Sequence, residues 1–502
     1  MTAARPMRLR PRLAALLAGL ALVPAGLLAR QTQWPASIPP RPLPARPVDI
    51  PAYQLQTLPN GLQVLVVPHH EQPSVSFRLI VRAGAMHEPA DKPGVASFVA
   101  GLLNQGTATR SAQDIAMAIE SAGGIIGVGS GNELSFINGA VIKDRTDFML
   151  AMAAEIVQQP AFAAEEFARQ RSQILSALRV SYDDPDYLAN LVFDRLVFGF
   201  HPYGRPNEGT PESIARLTRD DLVAFHRAWF APNNALLAIV GDLPVDEAFA
   251  AAEKAFGGWP RRDLPAVTPV EPPPATRRLV VIDRPGSAQT EIRAGHIAVP
   301  RTHPDFVAID LAIRILGGEG ANRLFGVLRS DRGLTYGASA DFHTYRTSGD
   351  IVAETDTRSS ATGESLRLMV DEFWRLQKEP VNPNELRGAQ EFLAGNFPLT
   401  IETPGALAQQ VLAHLFYGLD PAEIETYRDE VERVTPADIQ RVAKTFLKPD
   451  QLSIVLVGDA SVFGPQLKTL GFAEFERIPL SQLDLSSPTL KRGAPAPASD
   501  RR

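Results

Sequence analysis

The chain has 502 residues, of which 45% are hydrophobic and 21% are charged, so its composition is that of a folded globular protein and excludes wholesale disorder. At roughly 100–200 residues per domain, this length accommodates about three or four compact units. Fifty Lys and Arg against 56 Asp and Glu leave a net charge of −6, which gives no global electrostatic reason to expect nucleic-acid or anionic-membrane binding. The absence of cysteine excludes disulfides, thiolate nucleophiles and cysteine-ligated metal centres, so any metal must be held by His, Asp or Glu.

Residues 1–29 have the features of a signal peptide. Four arginines between residues 5 and 12 precede an apolar stretch at 13–23, and small residues at 25–29 offer cleavage points. The alternative is an N-terminal anchor helix, but the apolar stretch ends at Pro24, short of the roughly 20 residues that a membrane span needs. We therefore expect a protein exported to the bacterial periplasm, with no stable membrane span.

Three segments of biased composition divide the rest of the chain. A proline-rich arm covers residues 30–51, and a second proline-rich stretch at 260–278 is expected to be a linker. The C-terminal residues 483–502 are expected to form a disordered tail. This leaves two halves of similar length, at 52–259 and 279–482.

Each half begins with strand patterns that are followed by helices. In the first half, β-branched and apolar residues at 61–67 and 75–82 predict a hairpin whose turn lies at 70–73. Apolar residues at helical spacing then predict a helix from Val95, closed by Gly106. The second half repeats the helix from Phe306 to Leu316, just before Gly317. Antiparallel strands with segregated helices predict an α+β fold.

An internal duplication supports this division. Residues 214–242 align without a gap on residues 431–459, at a constant offset of 217. Each copy predicts a helix capped by a threonine, with an aspartate three residues later, and then an apolar strand that ends in Gly-Asp. The repeated residues are Thr218, Asp221, Pro232, Gly241 and Asp242, which recur as Thr435, Asp438, Pro449, Gly458 and Asp459. The fold class is therefore two homologous α+β halves, each an antiparallel sheet with helices.

Three motifs in order make the chain resemble the pitrilysin/insulinase family of metallopeptidases, which includes the mitochondrial processing peptidase and its bacterial relatives. They are GVASFVAGLLNQGT at 94–107, the segment at 183–214 that contains HPYGRP, and LRSDRGLTY at 328–336. The resemblance covers about residues 52–480. It implies two halves joined into a clam-like bowl.

The same resemblance implies that this chain has lost the family's zinc ligands. Active members carry H-x-x-E-H on the first helix, where two histidines bind zinc and the glutamate activates a bound water. The corresponding residues here are Ser97, Ala100 and Gly101. The family's third ligand, a glutamate on a later helix, matches Ala177, and a supporting glutamate matches Gln170. Because zinc needs at least three N, O or S donors, no cofactor is expected in this chain.

The remaining candidates for a metal or phosphate site are weak. No two of the nine histidines are four residues apart, so a replacement zinc site is not expected. His69 and His70 are expected to be solvated in a turn, and His201 to help build the HPYGRP loop. The glycines at 317–320 follow a predicted helix and lack a following Gly-Lys-Ser/Thr, which favours a helix cap and loop over a phosphate site.

Arg329 and Tyr336 match an arginine–tyrosine pair that, in active family members, reaches from the second half to the zinc site. There a guanidinium binds a peptide carbonyl or carboxylate and a phenol donates to the developing oxyanion. Gly333 is expected to turn the chain between them. From their spacing alone, Arg329 fits a helix C-terminal charge and Tyr336 an ordinary strand aromatic.

Two functions are consistent with this pattern. In the first, the chain is the non-zinc subunit of a heterodimeric peptidase, and a homologous zinc-bearing partner cleaves unfolded peptides with help from Arg329 and Tyr336. In the second, the chain is an inert structural or peptide-binding scaffold, like the non-catalytic core subunits of respiratory complexes that resemble this family.

Overall fold

The computed structural model describes residues 52–267, 270–318, 322–472 and 474–492. The predicted signal peptide, the proline-rich arm and residues 493–502 lie outside the described residues. In the described part of the chain, no helix has the length and apolar character required to cross a membrane.

Each half contributes one six-stranded sheet and a set of helices. The elements of the first half are β1 (Gln54–Thr57), β2 (Gln63–Pro68), β3 (Ser74–Val81), α1 (Val95–Leu102), α2 (Ala112–Ser121), β4 (Ile125–Ser130), β5 (Ser135–Ile142), α3 (Thr146–Gln158), α4 (Ala164–Ser181), α5 (Pro185–Phe198), α6 (Pro211–Arg216), α7 (Arg219–Trp229), β6 (Ala235–Gly241) and α8 (Val245–Phe256). The described residues from 260 to 277 form no helix or strand.

The second half repeats this order. Its elements are β7 (Arg278–Asp283), β8 (Gln289–Ala298), α9 (Phe306–Gly317), α10 (Arg323–Phe325), a π-helical turn (Gly326–Asp331), β9 (Ala338–Thr344), β10 (Gly349–Arg358), α11 (Thr362–Lys378), α12 (Pro383–Thr400), α13 (Pro404–Tyr417), α14 (Glu423–Arg433), α15 (Pro436–Phe446), β11 (Ser453–Gly458), α16 (Ala460–Thr469) and β12 (Glu476–Pro479).

Five strands of each sheet lie in the same order, β2-β6-β3-β5-β4 and β7-β11-β8-β10-β9. The sixth strands differ, since β1 is antiparallel to β2 and β12 is parallel to β7. Both sheets are open, which confirms the predicted α+β class with two related halves. Their strand directions are mixed rather than antiparallel throughout, because β2 runs parallel to β6 and β7 runs parallel to β11.

The predicted hairpin of β2 and β3 is wrong, since β6 lies between these two strands. It pairs parallel with β2 and antiparallel with β3. All seven residues of β6 are buried, so this strand needs a neighbour on each side and a covering layer on each face. A strand that arrives about 150 residues later therefore displaces the local pairing.

The threonine caps are confirmed in both copies of the repeat. The Thr218 side chain accepts a hydrogen bond from the Asp221 amide, and the Asp221 carboxylate accepts one from the Thr218 amide, which starts α7 with a capping box. Thr435 and Asp438 make the same reciprocal pair at the start of α15.

The halves exchange helices across their sheets. On one face of each sheet, the helices of the same half form its main core. The other face is covered by a helix of the opposite half, since α5 packs on β8 and β11, and α13 packs on β2 and β6. Each exchanged helix buries several Leu, Val or Phe side chains, at about 1.5–3 kcal/mol apiece, so neither sheet is complete without the other half.

The predicted disordered tail differs from the structure at its start. Leu483, Leu485 and Leu490 are buried against α5, although the segment around them is rich in serine, threonine and proline. Arg195 of α5 donates to the carbonyl oxygens of Leu485 and Ser487. Composition predicted disorder here, but the three buried leucines and the Arg195 hydrogen bonds hold residues 483–492 against α5.

Candidate functional site

The residues at the predicted zinc positions lie on α1, a short helix of mainly buried side chains. Ala100 is buried, Ser97 is half-buried, and Phe98 between them stacks on Phe167 of α4 with ring centroids 4.9 Å apart. The helix ends at Leu102 rather than at Gly106, whose φ of +115° places it in the turn that follows. Packing against α4, α7 and β4 holds α1 in place.

The predicted supporting position lies directly opposite α1. A Cβ built on Gly101 would lie 3.0 Å from Nε2 of Gln170, so the glutamine occupies the space beside this glycine. Ala177 lies two turns further along α4 and is exposed. The structure thus brings Gly101 and Gln170 together, at two positions where the resemblance implies a histidine and a supporting glutamate in active members of the family.

These residues do not fit a zinc ion. Alanine and glycine carry no side-chain donor, and one serine hydroxyl with one amide falls short of the three N, O or S ligands that zinc requires. Within the residues that the structure describes, no group of three His, Asp or Glu side chains is arranged to hold a metal. No step of hydrolysis can be assigned to these positions.

A buried carboxylate that the sequence did not single out orients α1. Glu88 accepts hydrogen bonds from the Ala96 amide at 2.8 Å and from the Gly94 amide at 3.0 Å, at the start of the helix. Burial raises the pKa of Glu88 to about 8, although these amides oppose the shift. No sequence signal marks Glu88, because it lies six residues before Gly94 and outside the first turn of α1.

Arg329 and Tyr336 contact each other at the surface of the second half. Arg329 lies in the π-helical turn, where Gly333 reverses the chain with a φ of +59°. The Arg329 guanidinium donates to the Tyr336 carbonyl and lies 4.4 Å from the centroid of the Tyr336 ring. Tyr336 precedes β9 rather than lying in it, and it is 81% exposed.

The structure does not join this pair to the zinc positions. In the described residues, no hydrogen bond, ion pair or ring contact links Arg329 or Tyr336 to Ser97, Ala100 or Gly101. No hydrogen bond to the Tyr336 hydroxyl exists among them either. The Tyr336 ring therefore faces solvent, and its hydroxyl is available to donate a hydrogen bond.

An acidic cavity of about 680 Å³ borders the pair and contacts Phe325 and Gly337. Its charged wall includes Asp186, Glu291, Glu354 and Asp356, with Arg293 at its base. Burial raises the pKa of Glu291 to about 7, and Asp356 and Asp186 add to the shift while Arg293 opposes it. The sequence analysis missed this cavity because its carboxylates come from α5, β8 and β10, which are distant in the chain.

The histidines occupy structural positions. His201 is buried, and its Nδ1 accepts from the Tyr203 amide, as expected for a loop-building residue. His70 is exposed but pairs with Asp242, with 2.7 Å between Nδ1 and Oδ1. His343 contacts Asp350 through its Nδ1, and this hydrogen bond raises the pKa of His343 to about 9.

Two family models together cover most of the two halves. One, described as Insulinase (Peptidase family M16), matches residues 63–209, and the other, described as Peptidase M16 inactive domain, matches residues 216–393. The chain belongs to the M16, or insulinase, family. This confirms the resemblance that the three motifs indicated.

M16 relatives of similar length come from several bacteria. An uncharacterized zinc protease of Mycobacterium bovis is 27% identical over 415 residues, which cover 81% of this chain and 94% of the relative. The uncharacterized zinc protease YmxG of Bacillus subtilis is 22% identical over 348 residues, covering 69% of this chain and 84% of the relative. The chain therefore aligns with nearly whole M16 proteins rather than with one domain of them.

Solved structures confirm the M16 fold. A peptidase M16 inactive domain from Pseudomonas fluorescens superposes with a TM-score of 0.76 at 29% identity, covering 81% of this chain and 98% of that one. A chain of complex III from Candida albicans matches with a TM-score of 0.68 over 82% of this chain and 97% of its own length, at 13% identity, which concerns the fold alone.

Proposed function

We propose that this M16 chain is the non-zinc subunit of a heterodimeric peptidase that cleaves unfolded peptides. The observation that carries the proposal is the contrast between the α1 positions, which lack the three donors that zinc requires, and Tyr336, which is exposed with its hydroxyl available beside Arg329. Because the Tyr336 ring is exposed, its burial contributes little to stability, so its role can be tested by substitution without unfolding the chain. A homologous partner would carry the intact zinc motif and perform the hydrolysis.

The geometry supports a binding and stabilising role for this chain's own residues. The Tyr336 hydroxyl can donate to an oxygen that becomes negative during peptide cleavage. The Arg329 guanidinium keeps the Tyr336 ring in place from one side, and its remaining N–H groups can hold a peptide carbonyl or carboxylate. Both groups lie on a segment fixed by Gly333, whose amide bonds back to the Arg329 carbonyl at 2.9 Å.

The primary test is metal content and activity of the chain with and without its partner. We expect the dialysed chain alone to hold no stoichiometric zinc and to cleave no peptide. Mixing it with a homologous subunit that carries H-x-x-E-H should produce activity that neither subunit shows alone. Close to one zinc per chain, with chelator-sensitive hydrolysis by the partner-free sample, would refute the proposal.

A scaffold without any catalytic contribution is the second candidate. It is favoured by the self-contained contact of Arg329 with both the ring and the carbonyl of Tyr336, which also satisfies the pair structurally. The distinguishing result is the effect of Tyr336 and Arg329 variants on the assembled peptidase, because a scaffold requires association but not these two side chains.

We also propose that the chain is exported. The charged and apolar pattern of residues 1–29 supports it. N-terminal sequencing of the protein from a periplasmic fraction should give a start between about Gly26 and Gln31. Retention of Met1 in a membrane fraction would instead favour the anchor helix.

A further inference from the structure

A cavity of about 440 Å³ lies on the first sheet, beside the exchanged helix α13 and the edge strand β4. Its wall is mainly apolar and includes Ile125, Val240 and Leu412. Its polar groups are few, and they include Arg78 of β3 and Asn138 of β5, which are direct cross-strand neighbours. A mainly apolar cavity with a few convergent polar groups is the usual form of a ligand site.

The register of the two sheets shows that Arg78 has an exact counterpart in the other half. Arg78 pairs with Ala238 of β6, and Arg293 pairs with Val455 of β11. Ala238 and Val455 are separated by the same 217 residues as the rest of the duplication. The same arginine therefore occupies the same position on the corresponding face of each sheet.

The second half neutralises its arginine completely. The Arg293 guanidinium contacts the carboxylates of Asp186, Glu291 and Glu354, with Nη1 to Glu291 at 3.6 Å and Nε to Glu354 at 3.3 Å. Its Nε also donates to Oδ1 of Asn190 at 2.8 Å. This is the arrangement expected of a cation that is only 2% exposed.

In the first half, each of those three carboxylates is replaced by a residue without charge. Strand register puts Ser76 where the second half has Glu291, and Asn138 where it has Glu354. Gly405, the second residue of α13, takes the place of Asp186, the second residue of α5. All three replacements line the 440 Å³ cavity, so the cavity lies where the carboxylates would be.

Arg78 is consequently left without an anionic partner. Among the described residues its guanidinium makes no hydrogen bond or ion pair, and its one recorded contact is with the Phe136 ring, at 5.1 Å from the centroid. Burial lowers the pKa of Arg78, and no carboxylate opposes the shift. The buried Oδ1 of Asn138 likewise has no hydrogen-bond partner in the described structure. An anion would stabilise a partly buried cation, and the described residues do not supply one to Arg78.

We propose that this cavity binds the C-terminal carboxylate of a peptide whose last residue is apolar, with the carboxylate on Arg78. The vacated position of three carboxylates accounts for the charge of the ligand, and the wall formed by Ile125, Val240 and Leu412 accounts for its apolar side chain. The backbone amide of such a peptide also provides a donor for Asn138 Oδ1. Gln409 lines the cavity at the position where Asn190 contacts Arg293, and it adds a second amide. That the carboxylate belongs to a peptide rests on the proposed function, whereas the need for a carboxylate does not.

The test is direct binding to the purified full chain, without partner or zinc. The probes are acetyl-Ala-Ala-Leu with a free carboxylate, the same tripeptide as its C-terminal amide, and decanoate, each titrated by calorimetry. We expect the free acid to bind at least about tenfold more tightly than the amide, the size typical of losing one charge-assisted contact. Equal binding of acid and amide would overturn the proposal, and so would decanoate binding more tightly than the peptide acid.

One variant gives the first half a carboxylate that the second half uses, and a second variant serves as its control. Asn138→Glu restores the counterpart of Glu354, so it should raise the thermal midpoint and abolish binding of the free acid. Ser74→Glu adds the same charge to β3 at an exposed position outside the cavity and should leave binding unchanged. If Asn138→Glu does not fold, Arg78→Gln should reduce the free acid to the affinity of the amide.

The outcomes separate this site from the proposed function. Binding of the free acid that survives Asn138→Glu or Arg78→Gln would overturn the carboxylate site while leaving the heterodimer untouched. If Tyr336→Phe does not change the activity of the reconstituted peptidase, Tyr336 has no catalytic role, and the binding result still stands.

Discussion

The zinc positions on α1 and the segment from Arg329 to Tyr336 have opposite relations to the protein interior. Ala100 and Phe98 are buried, and Gln170 lies over Gly101, so that this region has become part of the core packing. The Arg329–Tyr336 segment buries little and leaves a tyrosine 81% exposed. On α1 the buried residues Ala100 and Phe98 serve packing, although Ser97 is only half-buried and Ala177 on α4 is exposed. The exposed Tyr336 ring contributes little to packing. The two regions should therefore respond differently to mutation.

The largest effect is expected from Phe98→Ala on α1. Removing a fully buried ring that stacks on Phe167 should lower the free energy of unfolding by about 3–5 kcal/mol. The matched control, Tyr336→Ala, should stay within about 0.5 kcal/mol of the parent in the same urea titration, because its side chain is exposed. A similar loss of unfolding free energy in both variants would contradict the difference between a packed and an exposed region.

The next largest effect is expected on catalysis by the assembled peptidase. Tyr336→Phe removes one hydroxyl donor and keeps the ring, so it should lower kcat by roughly 10²–10³, or about 2.7–4 kcal/mol of transition-state stabilisation. Arg329→Ala should raise KM as well, since a positioned cation acts on bound substrate too. Association with the partner, measured separately, should not change. If both variants turn over peptide like the parent, the scaffold function takes precedence.

A smaller effect compares the two copies of the repeat. Thr218→Ala and Thr435→Ala each remove one capping oxygen, and each should cost about 1 kcal/mol in unfolding free energy. Serine at the same positions keeps the capping oxygen and should retain most of the stability. Because both caps are exposed and make the same reciprocal bonds, markedly unequal losses would show that the halves do not unfold together.

The smallest effect is a pH dependence in the acidic cavity beside Tyr336. The pKa of Glu291 is raised to about 7 in the folded chain, so its contribution to stability is complete below about pH 4.5 and is lost as the pH rises through about 7. Glu291→Gln should flatten the fall in thermal midpoint between pH 5 and pH 8, whereas Glu476→Gln, a carboxylate on β12 outside the cavity, should not. An unchanged slope in Glu291→Gln would mean that this carboxyl is ionised throughout.

The parts of this structure that were predictable from sequence depend on neighbours within one helix turn or one repeat. The capping boxes at Thr218 and Thr435 and the periodic helix before Gly317 are local, and the constant offset disclosed the duplication. The β2–β3 hairpin failed because β6, far along the chain, is the better partner for both strands. The Arg78 and Arg293 pair could not be found either, since its equivalence appears only in the strand register.

The exchange of α5 and α13 makes the order of synthesis matter. All six strands of the first sheet exist once β6 has been made, but α13, which covers one face of that sheet, follows about 175 residues later. At about 5–20 residues per second, that face would wait roughly 10–35 s for its cover. During that interval Leu65, Leu236 and Val240 are exposed, and a chaperone or a delayed collapse must protect them. The reverse is not true of α5, which is made before the sheet that it covers. The first half is therefore the vulnerable one in a nascent chain, although both halves are equally enclosed in the finished protein.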